Sequence, residues 1–132
     1  MKKIVLLLTF FLLTLHAEVI NQFADTKLIQ SQIPIVDIRT PGEWKETGLL
    51  MGSIPIMFFD ERGKYDIRGF LKALNSKIDT SKPFAIICHT GSRTSMLAPF
   101  LSQELGYHVI NLKGGVAYAQ QKKLPFIPYP KK

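Results

Sequence analysis

A chain of 132 residues can bury one hydrophobic core and is too short for two domains. Its formal charge of +7 comes from scattered lysines and arginines, with no RNA- or DNA-reading motif, so it favours anionic ligands in general and not nucleic acid. The single cysteine, Cys88, excludes an internal disulfide.

Lys2 and Lys3 precede an uncharged, mostly apolar run from Ile4 to Leu15, and the small Ala17 stands before Glu18. That order predicts a secretory signal peptide over residues 1–17, its apolar run being short for a membrane span. If uncleaved, the segment is an N-terminal anchor and the protein's one contact with the membrane. In either form the domain over residues 18–132 is expected to be periplasmic or otherwise exported. Removing the two lysines of the segment lowers the formal charge to +5.

A short helix is predicted over Asn21 to Gln30, with Phe23, Leu28 and Ile29 on its apolar side. Pro34 to Ile38 reads as a buried strand. Thr40 then has the features of an N-cap, with Pro41 at the first helical position and Glu43 three residues after the cap. Ser53 to Phe59 is a second apolar run, and a polar loop follows from Asp60 to Lys64. Ile67, Phe70, Leu71, Leu74 and Ile78 repeat at helical spacing.

Phe84 to Ile87 is a strand. After a turn, Met96, Leu97, Phe100, Leu101 and Leu105 mark a helix that stops at Gly106. Pro99 lies inside it and is expected to remove one backbone bond and kink it, at a cost of ~3 kcal/mol unless the neighbourhood compensates. Tyr107 to Leu112 is another strand, Gly114-Gly115 a turn, and Val116 to Lys123 a last short helix. The proline-spaced tail is expected to be extended and partly mobile. This alternation predicts an α/β fold, a small parallel sheet flanked by helices on both faces.

In such sheets ligands sit where strands end and helices begin, and Cys88 is at such a place. A thiolate needs local positive potential. Gly91 allows the backbone to curl its N–H groups inward, and the helix starting near Ser92 or Arg93 adds its positive end. Thr90 and Ser92 offer hydroxyls. Arg93 either stabilises an anion or braces the loop through its carbonyls. His89 either adds positive charge or faces away. Cys88 is therefore the candidate nucleophile, with His89, Thr90, Gly91, Ser92 and Arg93 as candidate substrate-binding residues. Cys88, His89 and His108 lack the spacing of a zinc site, and neither a metal nor another cofactor is expected. A histidine directly after the nucleophile is also badly placed to deprotonate it, which argues against a Cys-His protease.

Four stretches, IVDIRTPGEW (35–44), GLLMGSIPI (48–56), AIICHTGSRTSMLAPFL (85–101) and GYHVINLKGGVAY (106–118), resemble in order the motifs of the rhodanese family of single-domain sulfurtransferases. The resemblance implies a rhodanese-like fold and a task for Cys88. Its thiolate would take the outer sulfur of thiosulfate or another small anionic donor, hold it as a persulfide, and pass it to cyanide, a thiol or a protein acceptor. A lone cysteine suits this chemistry, because a neighbouring thiol would strip the sulfur and close a disulfide. Asp37 and Arg39 are expected to brace the turn that supports the active loop, while Arg62 and Arg68 are candidates for the pocket rim that the sequence does not place. Gly48-Leu49-Leu50 stands where many relatives have Gly-His-Ile, and Tyr118 is shifted from the usual aromatic position after the glycine pair.

Two other functions fit the same residues. One is a cysteine-dependent phosphatase or arsenate reductase of similar fold, whose loop resembles Cys-x5-Arg; here four residues separate Cys88 from Arg93. The other is a non-catalytic rhodanese-like binding module.

Overall fold

The computed structural model describes residues 17–130, so the predicted signal segment lies outside the described residues except for Ala17. The elements run β1 (Ile20–Gln22), α1 (Thr26–Gln30), β2 (Ile35–Asp37), α2 (Pro41–Thr47), β3 (Leu49–Leu50), β4 (Ser53–Pro55), α3 (Ile67–Lys77), β5 (Phe84–Ile87), α4 (Ser92–Gln103), β6 (Val109–Leu112), α5 (Gly115–Gln121) and β7 (Phe126–Ile127). Five strands form a parallel sheet in the order β1-β6-β5-β2-β4, while β3 and β7 form a separate antiparallel pair.

Alternation along the central strands sends side chains to two cores. Val36, Phe84, Ile86 and Val109 pack against Phe70 and Leu74 of α3 and Leu97 and Leu101 of α4. Ile35, Ala85, Ile87, Ile110 and Leu112 pack against Leu28 of α1 and Val116 and Ala119 of α5. The sheet is thus covered on both faces, which is why β5 and β6 read as continuous apolar runs. The chain leaves β2 toward β4 on one side and leaves β5 toward β6 on the other. The carboxyl ends of β2 and β5 therefore flank a topological switch point, the usual ligand crevice of such sheets.

The structure corrects several expectations. Only the second half of the helix predicted at Asn21–Gln30 forms. Residues 20–22 pair with β6 instead, and α1 begins after Asp25, whose Oδ1 accepts Leu28 N–H at 2.8 Å. Ladder bonds to β6 satisfy backbone groups that a helix would otherwise have to pair locally. The strand predicted over Ser53–Phe59 ends at Pro55, although Ile56 N and Phe58 N still donate to Asp37 O and Ile38 O at 2.9 and 3.1 Å. Helix α4 runs on through Pro99, held by the buried Leu97, Ala98, Leu101 and Ser102 on its sheet side. The tail is extended as expected, and part of it is paired. Phe126 and Ile127 ladder with Leu50 and Leu49, and the Tyr129 ring lies 5.4 Å from that of Trp44.

Candidate active site

Cys88 follows β5 directly and is wholly buried. Its Sγ accepts the Gly91 N–H at 3.2 Å and lies 3.6 Å from the Thr94 hydroxyl oxygen. Gly91 has φ +99°, a left-handed conformation that glycine adopts without steric cost, and it is the N-cap of α4. No side chain caps that helix end, so the positive end of α4 is left to the sulfur and the loop.

The loop is clamped from behind by α5. Val116 N–H donates to Cys88 O at 2.8 Å and Ala117 N–H to His89 O at 2.9 Å. This close approach requires Gly115, at φ +58°, because a Cβ there would collide with the Cys88 carbonyl oxygen and lie 2.6 Å from that of His89. The glycine pair fixes which way the carbonyls of the active loop point, leaving Gly91 N–H turned toward the sulfur.

Arg93 bonds the carboxylate of Glu43, with Nη1 to Oε1 and Nη2 to Oε2 each at 2.7 Å. Glu43 belongs to the capping box that starts α2: Glu43 N donates to Thr40 Oγ1 at 3.4 Å and Thr40 N to Glu43 Oε1 at 3.3 Å. The Arg93 bond, opposed by partial burial and aided by the Thr40 backbone, lowers the Glu43 pKa to about 2. The same bond raises the Arg93 pKa, with smaller contributions from Cys88 and Asp37. Arg93 thus braces the loop through Glu43, and among the described residues it bonds no loop carbonyl.

Asp37 and Arg39 form a fully buried pair. Arg39 Nη2 meets Asp37 Oδ2 at 2.8 Å, and Nε meets the two carboxylate oxygens at 3.0 and 3.1 Å. The guanidinium also donates to Thr47 Oγ1 at 2.7 Å and Gly48 O at 2.8 Å, while Trp44 Nε1 donates to Asp37 Oδ1 at 3.2 Å. These bonds tie the middle and the C-terminal end of α2 to the end of β2. They reach the loop at 88–93 only indirectly, through Glu43 of the same helix.

Of the other sequence-derived candidates, His89, Thr90 and Ser92 are exposed, and Gly91 is buried beside the sulfur. Arg62 and Arg68 are exposed, and among the described residues neither guanidinium bonds the loop. Also among the described residues, no cluster of three His, Cys, Asp or Glu could hold a metal. Two contributors were not singled out from sequence as site residues. In the sequence Glu43 has the marks of a cap and a motif match only, its pairing with Arg93 being 50 positions distant. Thr94 has a visible signal, since 94, 97, 98 and 101 share one helical face and its hydroxyl is the polar exception there.

A parallel α/β domain with a buried cysteine at its switch point, in a short glycine-bent loop that opens a helix, defines a particular class of cysteine site. The chain belongs to the rhodanese-like domain family, which it matches over residues 16–122. Its fold is similar to that of a rhodanese-related protein from Thermoplasma volcanium, at 22% identity, covering 78% of this chain and 90% of that one with a TM-score of 0.59. A rhodanese-like domain protein from Staphylococcus aureus is similar at 22% identity, with 76% and 88% covered and a TM-score of 0.55. A protein from Rhodopseudomonas palustris described as a possible tyrosine phosphatase is similar at 24% identity, with 74% and 72% covered and a TM-score of 0.54. At these identities the likeness concerns fold alone. No curated protein matches the chain.

Proposed function

We propose that the protein is a sulfurtransferase that carries sulfane sulfur on Cys88. The observation that carries this reading is the position of Sγ, bonded to Gly91 N–H at 3.2 Å at the uncapped start of α4. Negative charge on the sulfur is met there by a backbone donor and the helix dipole, and the Thr94 hydroxyl, which lies 3.6 Å from Sγ and 3.2 Å from Gly91 O, can turn its proton to either.

In the first step the Cys88 thiolate attacks the outer sulfur of thiosulfate or a similar anionic donor. The donor's S–S bond breaks, sulfite leaves with the bonding pair, and Cys88 holds a persulfide. In the second step cyanide, a thiol or a protein acceptor attacks the outer sulfur, and the electron pair returns to Cys88 as thiolate. Two half-reactions sharing one covalent intermediate imply ping-pong kinetics. His89, Thr90 and Ser92, exposed around the sulfur, would meet the donor as it arrives. The sequence signal at residues 1–17 supports an exported setting.

Phosphatase chemistry is the second reading, favoured by the Rhodopseudomonas likeness. The short loop and the engagement of Arg93 by Glu43 weigh against it, because a phosphate needs a wider cradle and an arginine free to hold it. The test is turnover of thiosulfate and cyanide to thiocyanate, beside phosphate release from an aryl phosphate. Thiocyanate formation that disappears in Cys88→Ser supports sulfur transfer, while Cys88-dependent phosphate release in its place would overturn it.

A further inference from the structure

We propose that the outer face of α4, with the aromatic segment beside it, seats the domain on an anionic lipid surface. This contact is additional to the one predicted for residues 1–17, and it does not depend on the chemistry at Cys88.

Helix α4 is apolar on both sides. Leu97, Ala98 and Leu101 are buried against the sheet. Met96, Pro99 and Phe100, at the three- and four-residue spacing of one helical face, are exposed, Met96 at 67%. A surface helix ordinarily keeps that face polar. Phe58, Phe59, Tyr65 and Ile67 join Met96 and Phe100 around an apolar cavity of about 360 Å³. The rings brace one another: Phe58 stacks on Tyr65 with centroids 5.1 Å apart, and Phe59 meets Tyr65 edge-on at 5.7 Å. Tyr65 is nonetheless 61% exposed. Packing within the chain leaves this surface uncovered, and a contiguous apolar patch of this kind marks a docking surface.

The place where the chain enters the domain indicates what covers the patch. Ala17, the first described residue, accepts a hydrogen bond from Ser102 Oγ of α4. Ala17, Glu18 and Val19 line a groove with Pro99 and Gln103. Pro99 thus belongs both to that groove and to the exposed face, and Ser102 is two residues past Phe100, on the order of 3 Å along the helix axis. The uncharged run from Ile4 to Leu15 ends two residues before Ala17. A bilayer that takes up this run is brought to the outer face of α4.

Charge favours the same occupant. The stretch that supplies the rings also carries Arg62, Lys64, Arg68 and Lys72, all exposed and, among the described residues, in no ion pair. Two carboxylates of that stretch are engaged by backbone N–H groups: Asp60 Oδ1 accepts from Arg62 and Lys64, and Asp66 Oδ1 from Gly69. A second copy of the domain would set like charges against each other. Anionic headgroups neutralise them while the apolar side chains enter the acyl boundary.

The test places the full chain, with isotope-labelled methionine methyls, in bicelles of phosphatidylcholine and phosphatidylglycerol that contain a headgroup spin-labelled lipid. The Met96 methyl signal should broaden several-fold more than that of Met51, an exposed methionine beside the β3–β7 pair whose N–H bonds Pro125 O. This excess should shrink in the double variant Arg68→Glu, Lys72→Glu and in bicelles of phosphatidylcholine alone. Equal broadening of the two methyls, or none at either, overturns the proposal, because the domain is then tethered or free without being seated. Met96 shifts that depend on protein concentration in the absence of lipid would assign the face to a second copy and overturn it as well.

Discussion

Arg93 and Glu43 join the first turns of α4 and α2 through two parallel bonds of 2.7 Å. The ion pair spans the crevice between the ends of β2 and β5, where Cys88 lies. The arginine of the Cys-x4-Arg loop is therefore part of the scaffold, and the groups nearest the sulfur are Gly91 N–H and Thr94.

Glu43→Gln should cost on the order of 1 kcal/mol at neutral pH, as expected for a half-buried bidentate pair. The folded pKa of Glu43 is about 2, below its ordinary value of 4.5. The stabilisation is therefore complete above pH 4.5, falls as pH drops below that, and is gone below about pH 2. Urea melts of both proteins across this range should show the gap closing on the acid side. A gap constant with pH would contradict the ion-pair assignment.

Arg39→Leu should destabilise by about 3–5 kcal/mol, because it leaves the Asp37 carboxylate buried without its cation. The measurement is the same melt at neutral pH. A loss under about 1 kcal/mol would mean that the pair does not hold α2 in place.

Thr94→Val keeps the shape of the side chain and removes the hydroxyl 3.6 Å from Sγ. Gly91 O keeps its bonds from Ser95 N and Oγ, so the loop should persist. Alkylation of Cys88 by iodoacetamide at neutral pH should slow several-fold, and Thr94→Ser should restore most of the rate. Equal rates in all three proteins would remove Thr94 from the site.

Gly115→Ala combines a strained positive φ with a collision against the Cys88 and His89 carbonyls. It should cost at least ~1–3 kcal/mol. It should also change the Cys88 alkylation rate by displacing the loop. A stable variant with normal Cys88 reactivity would show that α5 does not fix the loop.

Much of this was legible because the decisive signals are local. Phe84–Ile87 is apolar on both faces of a central strand, Thr40, Pro41 and Glu43 spell out a helix start, and Gly91 sits where the backbone must turn left-handed. What stayed hidden depends on distant partners. Ile20–Gln22 is a strand only because β6 lies beside it, and Leu49–Leu50 only because Phe126–Ile127 returns to pair with it. Neither segment has the apolar run that marks the equally short β2. Arg93 could be located as part of the loop, but its direction is set by a carboxylate on another helix.

The most direct measurement is an intact-mass spectrum of the protein after incubation with thiosulfate, beside the Cys88→Ser variant. Gain of one sulfur atom, removed by cyanide and missing in the variant, is the expected result. An unchanged mass with thiosulfate and with a polysulfide donor would contradict sulfur transfer through Cys88.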